Sequence, residues 1–349
     1  MRVVVVGATG NVGTSVVTAL QAAPEVSSIV GVARRLPEAG DSSIDWVSAD
    51  IVSADLRPVF CDADAVIHLA WAIQPARDRH RTYQTNVIGS RRVFRAAAEA
   101  GVPALVHASS VAAYSPGPKD RRVDEQWETH GCDLSFYSRD KAEAELELDR
   151  FEREHPDVRT VRMRPGLIVK REAAAEIRRL FLGPFLPGSL VRPSLIPVLP
   201  LPRGLALQML HTDDAAQAYV AAVVGDAHGA FNLAAEPVLD ASTLGQVFGA
   251  RVLPVPKRPV RTLLDAAYRL HLQPSEPGWL DMGMAVPTME TARARELLGW
   301  EPRHSATAAL EDLVQGLNDN AGAETPPLRP GAGGPLRIGE LLTGVGSRL

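Results

Sequence analysis

The sequence predicts an α/β protein: a doubly wound parallel sheet with a smaller C-terminal lobe. Over residues 1–165, short β-branched runs at 3–6, 29–33, 65–69, 104–108 and 159–163 alternate with helical patterns at 12–22, 83–100 and 137–154. That rhythm is the signature of βαβ units. The runs are continuously apolar rather than alternating, as strands covered by helices on both faces must be. After Pro165 the texture changes to proline-rich loops and shorter elements. A helix near 213–224 and a strand near 230–233 are expected to return to the first domain, so that 1–165 and 210–235 form one unit. Residues 166–209 and 236–317, with helices near 242–248, 289–298 and 306–317, form the lobe. The Gly- and Pro-rich stretch 318–349 is expected to be a disordered or loosely draped tail.

Composition narrows the functions. With 46% hydrophobic and 22% charged residues among 349, the chain is of ordinary globular make-up. A net charge of −4 leaves no basic footprint for nucleic acid or an acidic membrane surface. Two cysteines, Cys61 and Cys132, fit neither a disulfide framework nor a zinc site, so no metal and a reducing, cytoplasmic setting are expected. The apolar run at 3–6 is too short for a leader and reads as a buried strand. The stretch 181–202 is long enough to span a bilayer, but its six prolines and Arg192 exclude a regular transmembrane helix. It reads as a stiff apolar loop beside a pocket. A small-molecule substrate is the expected partner, with a homodimer left open.

The strongest local signal is VVVVGATGNVG at 3–13. A strand ends at Gly7, and Gly10 and Gly13 follow at intervals of three. Glycines there permit a tight turn and let the backbone approach a pyrophosphate, while the next helix offers free N–H groups. The expected contacts are Gly7, Thr9, Gly10, Asn11, Val12 and Gly13. The spacing G-x-x-G-x-x-G resembles that of the short-chain dehydrogenases/reductases. The resemblance extends along most of the chain to the extended branch, the NAD-dependent epimerase/dehydratase family, and implies a Rossmann domain. Where many NAD-specific Rossmann proteins place an acidic residue to accept from the ribose, this chain has Arg34 and Arg35. Guanidinium groups suit a 2′-phosphate, so NADP is the expected cofactor and NAD the alternative. Asp50-Ile51 resembles the family's adenine-contacting pair. Leu69-Ala70-Trp71 resembles the segment lying along the cofactor, Asn86 falls in the family's N-V-x-G helix, and Pro165 lies in its R-P turn.

Reduction of a carbonyl requires a proton donor at the oxygen, and the reverse reaction a base. A free tyrosine, with a pKa of about 10, is a poor base at neutral pH. A lysine one helical turn away, together with a cationic nicotinamide, favours the phenolate. Tyr137 and Lys141, in YSRDK, have that spacing. The resemblance of VHASSVAAYS to the family's S-S-x-x-x-Y-G pattern implies that Ser110 completes a catalytic triad with Tyr137 and Lys141. Lys141 would also hold the ribose. The acidic pair by which the family's 4,6-dehydratases carry out elimination is replaced by Val111 and Ala112, which argues against that reaction. His211, Asp213 and Asp214, FNLA at 231–234 and ARELLGWEP at 294–302 match later family motifs. Asp213 or Asp214 would also suit as a helix cap. The expected activity is NAD(P)-dependent oxidoreduction of a small-molecule carbonyl or alcohol. Sugar-nucleotide epimerisation, or a non-catalytic NADP sensor, are the alternatives.

Overall fold

A computed structural model describes residues 1–38, 41–182 and 196–330 of the chain. Seven parallel strands form the central sheet: β1 (Arg2–Val6), β2 (Ser28–Ala33), β3 (Ile44–Ser48), β4 (Ala65–His68), β5 (Ala104–Ala108), β6 (Arg159–Pro165) and β7 (Gly229–Leu233). Their spatial order is β7-β6-β5-β4-β1-β2-β3. The chain winds outward from β1 to β3, then crosses back to β4 and winds the other way. The reversal leaves a crevice beyond the C-terminal ends of β1 and β4, where doubly wound sheets place ligands.

Burial explains why the strands read as unbroken apolar runs. Val3 and Val5 belong to one core face and Val4 and Val6 to the other, all virtually solvent-free. Helix α1 (Asn11–Gln21) packs on α2 (Thr212–Val224) over the first face. β3 is not among the strands read from apolar runs, though the family resemblance implies a third strand before Asp50; its mixed exposure and edge position leave it without such a run.

The expected helix at 83–100 is one continuous rod with an internal π segment: α-helical at Arg79–Tyr83 and Ser90–Glu99, with a wider turn at Gln84–Gly89 between them. The expected helix at 289–298 is shorter. Thr288–Met289 is a strand pairing with Arg122–Val123, and the helix covers Ala292–Leu298. Two further helices, Lys257–Arg269 and Gly278–Ala285, are not among the expected ones, although Val260, Leu263, Leu264, Ala267 and Tyr268 give the first a helical period. Of the apolar stretch 181–202, Val198–Pro202 forms a strand beside Arg251–Val255, while 183–195 lie outside the described residues. The presumed tail is not loose over its first part. The helix Ala306–Asp319 runs into it, Leu328 is fully buried, and Arg329 pairs with Glu38 at 2.6 Å. Residues 331–349 lie outside the described set. No described helix is long and apolar enough to cross a membrane.

The sheet buries two histidines that the fold cannot easily charge. His68 and His107 are each 1% exposed, with ring centroids 5.4 Å apart. Burial, and then Lys141, holds His68 down to about 3; His107 is held well below its ordinary value, first by burial and then by His68. An unfolded histidine titrates near 6.5, so as pH falls below that the unfolded chain takes up protons that the folded chain refuses. Stability should therefore decline as pH drops from about 6.5 toward 3. Urea midpoints measured across that range check this, and His107→Leu should flatten part of the slope.

Candidate functional site

The glycine turn sits at the crevice, and steric demand explains its composition. Gly7 has φ +94°, and a Cβ there would lie 2.7 Å from the Ala70 backbone nitrogen. A Cβ on Gly13 would lie 2.2 Å from the Gly7 carbonyl oxygen. The ends of β1 and β4 thus converge as the spacing implies, with Leu69 N–H donating to the Val6 carbonyl at 2.8 Å. Gly10 is the N-cap of α1 and offers no side-chain cap, so the first N–H groups of that helix stay open to an anion. Thr9 is buried, while Gly10, Asn11 and Val12 are half-buried at the rim. Backbone that only glycine can occupy, beside an uncapped helix N-terminus, fits a pyrophosphate. The Asn11 side chain is occupied, donating to the Ile168 carbonyl at 3.2 Å and accepting from Thr212 at 3.0 Å.

At the end of β2, Arg34 and Arg35 are exposed. Arg34 lies within charge range of Arg35, Arg81 and Asp50, and none of the three guanidiniums forms an ion pair among the described residues. Asp50 turns a carboxylate oxygen onto the Val52 N–H at 2.9 Å, and Ile51 is buried beneath it. Pro165 closes β6.

The helix Phe136–Glu154 carries Tyr137 and Lys141 one turn apart, capped by Ser135. Ser110 follows β5, accepts from the Ala112 N–H at 3.1 Å and lies close enough to the Tyr137 phenol to lower its pKa. Burial pushes the Tyr137 phenol up to about 12, against the opposing pull of Ser110. The structure thus brings Ser110 and Tyr137 together.

Lys141 goes elsewhere. Its Nζ donates to the Ala108 carbonyl at 2.7 Å and sits 3.5 Å from the centre of the Trp71 ring, against 5.9 Å from that of Tyr137. Burial lowers the ammonium to about 7, opposed by Glu145 and Asp140. Trp71, expected along the cofactor, therefore also covers the lysine.

Asn86, expected at the cofactor, is spent on the chain itself. Its amide accepts from the Ala72 N–H at 2.7 Å and donates to the Ala72 carbonyl at 2.9 Å, clamping the loop after β4. The helix cap at α2 is His211, not an aspartate. Asp214 instead accepts from the His304 backbone N–H at 2.9 Å, and Asp213 accepts from Ser15 at 2.6 Å. Val111 and Ala112 pack with Met282, Val286 and Trp279, an apolar wall with no proton to move.

A small pocket opens beside Tyr137, lined among others by Arg79, Phe136, Asp140, Glu276 and Trp279. None of these five was foreseen. Trp279 stacks on Tyr137 with ring centres 4.6 Å apart, and Phe181 meets Trp279 edge-on at 4.8 Å. Phe181 belongs to the helical segment Arg178–Leu182, and residues 183–195 of the expected loop lie outside the described residues. Asp140 lies inside the YSRDK motif and Arg79 stands upstream of Asn86 on the same rod, so helix periodicity could have found both; Glu276 and Trp279 come from a segment with no motif. No cluster of side chains able to hold a metal occurs among the described residues.

Comparison with known proteins agrees with this geometry. The model of the NAD dependent epimerase/dehydratase family matches residues 3–234. A 3-diazoavenalumate denitrifying reductase of Streptomyces sp is 31% identical over 326 residues, 87% of this chain and 97% of that protein. An uncharacterized protein of Mycobacterium tuberculosis (strain ATCC 25618 / H37Rv) is 25% identical over 92% of this chain, which spans only 31% of that relative's length. Among solved structures, the UDP-glucose 4-epimerase of Thermotoga maritima with UDP-glucose superposes with a TM-score of 0.66 at 19% identity, covering 91% of this chain and 99% of that one. The UDP-glucose 4-epimerase of Thermus thermophilus in complex with NAD gives 0.67 at 18% identity, with the same coverage. At these identities the likeness of the structures is one of fold. With its seven-stranded parallel sheet, its glycine cradle and a family match over most of its length, the chain belongs to the NAD dependent epimerase/dehydratase family.

Proposed function

We propose that the protein is an NAD(P)-dependent oxidoreductase acting on the carbonyl or alcohol of a small molecule. The observation that carries this reading is the placement of Ser110 beside the Tyr137 phenol, with Tyr137 also lining a small pocket. The bound dinucleotide supplies or accepts the hydride. Tyr137, held protonated by burial, donates its proton to the substrate oxygen, and Ser110 donates a hydrogen bond to the same oxygen. Lys141, its ammonium lowered to about 7 by burial beneath Trp71, would hold the ribose. The name of the reductase relative, matched over nearly its whole length, supports net reduction over epimerisation. The test is NADPH oxidation by the purified protein with a panel of aldehydes and ketones, with nucleotide sugars in parallel. Cofactor binding without turnover of any compound would return the reading to a non-catalytic sensor.

NADP(H) is the proposed cofactor. Arg34, Arg35 and Arg81 surround the β2 end, where an acidic residue would otherwise take the ribose. A charge-assisted contact to a 2′-phosphate contributes about 1.5–3 kcal/mol, or roughly ten- to a hundredfold in affinity. Arg34→Ala should weaken NADPH binding by that factor and leave NADH nearly unchanged, measured by titration. Equal affinities of the unaltered protein for NADH and NADPH would make the arginines solvated surface and favour the epimerase.

A further inference from the structure

We infer that Glu276 is a positioning residue for Tyr137: its carboxylate caps the helix that carries the phenol and so fixes where the proton donor stands. This rests on the reading of Tyr137 as that donor. The first N–H groups of a helix have no partner within it. At the helix Phe136–Glu154 the Ser135 hydroxyl accepts from the Ser138 N–H at 3.4 Å, which serves one of them. The N–H of Phe136, the residue before Tyr137, is served from 140 residues away along the chain: it donates to Glu276 Oε1 at 3.0 Å. Glu276 is buried, and a carboxylate at that end of a helix also meets the positive end of its dipole.

The segment that bears Glu276 is itself held on both sides. Before it, the Ser275 hydroxyl donates to the Leu180 and Phe181 carbonyls at 3.3 and 3.1 Å, and Gln74, from the loop after β4, donates to the Pro274 carbonyl at 3.3 Å. After it, a Cβ on Gly278 would lie 2.5 Å from the Leu134 carbonyl oxygen, so glycine lets the segment approach the helix start this closely. Three residues beyond Glu276, Trp279 lies on the Tyr137 ring with centres 4.6 Å apart. One short piece of chain therefore grips the Phe136 backbone and the Tyr137 ring together. Burial raises the Glu276 carboxyl, against the pull of the Phe136 N–H and then of Arg79 and Arg139. Without this acceptor the Phe136 N–H loses its partner, and the first turn is free to shift the phenol away from Ser110. The dinucleotide cradle lies on α1 and would not sense that shift.

The test uses the full chain labelled with 3-fluorotyrosine, the Tyr137 fluorine resonance being assigned by its loss in Tyr137→Phe. Turnover is followed as NADPH oxidation with hexanal and benzaldehyde, and NADPH affinity by titration. Glu276→Ala should lower kcat about ten- to a hundredfold, the scale on which a misplaced reacting group costs rate. It should also shift or broaden the Tyr137 resonance and leave NADPH affinity nearly unchanged. Glu276→Gln, whose amide oxygen still accepts from the Phe136 N–H, should keep most of kcat and the resonance in place. Glu276→Asp keeps the charge but withdraws the oxygen by one methylene; it should behave as the alanine variant does and replaces it if that one fails to fold. An unmoved resonance in both Glu276→Ala and Glu276→Asp, or a loss in Glu276→Gln as large as theirs, would overturn the assignment. If neither aldehyde is turned over, the resonance alone decides. A displaced resonance in Glu276→Ala beside full kcat in Tyr137→Phe would uphold the cap and overturn only the reading of Tyr137 as proton donor.

Discussion

Tyr137→Phe should lose nearly all turnover, with kcat falling about 10²–10⁴-fold, the usual contribution of a positioned acid or base. The phenylalanine ring keeps the stack on Trp279 and the contact with Trp71, at 4.6 Å and 6.0 Å between ring centres, so the pocket should keep its shape. Only the hydroxyl that meets Ser110 is lost. Cofactor affinity should therefore stay within severalfold, because the glycine cradle and the α1 N-terminus do not involve the phenol. Single-turnover kinetics and cofactor titration separate the two quantities. A variant that retained most of its kcat would remove Tyr137 from the chemistry.

Glu145→Ala should be the most damaging single change to stability. Glu145 lies on the same helix, eight residues beyond Tyr137, and its side chain is 2% exposed. It accepts from Arg164 Nε at 2.8 Å and from a second Arg164 nitrogen at 2.5 Å, and also from the Ser109 hydroxyl. Arg162 approaches it at 3.7 Å. Burial alone would raise its pKa, but the Arg164 and Arg162 charges and the hydrogen bonds hold the carboxyl below its ordinary value. Removing it leaves the Arg164 guanidinium, 6% exposed, with only the Tyr114 hydroxyl and the Glu125 carbonyl. Breaking a buried pair from one side costs about 3–5 kcal/mol, because the remaining charge cannot regain its hydration. Denaturant unfolding should show a loss of that size. A loss under about 1 kcal/mol, the value of an exposed pair, would mean that water reaches the site. Ser109 is the residue before Ser110, so the variant should also raise KM or lower kcat through the β5 end.

The sequence by itself determined the features that arise within a turn or a single helix. A continuous apolar run flanked by glycines becomes a buried parallel strand wherever helices cover both faces, and β1, β4 and β5 fall where the pattern places them. The turn at Gly7 to Gly13 follows from spacing because the approach of Gly13 to the Gly7 carbonyl is local, whereas Gly7 meets Ala70, just beyond β4. Tyr137 and Lys141 share a helix face by simple periodicity. Tertiary structure decided which partner each side chain met. Lys141 lies under Trp71 and on Ala108 because strands far apart in the chain converge there and exclude water. Asn86 is drawn to Ala72 because the buried loop after β4 has backbone groups that nothing nearer can satisfy. Glu276 and Trp279 reach Tyr137 from some 140 residues away along the chain, in a segment without a motif. Propensity acts over a few residues, whereas desolvation and hydrogen-bond demand act on whatever the packed fold brings near, and the wall of this pocket was set by the second.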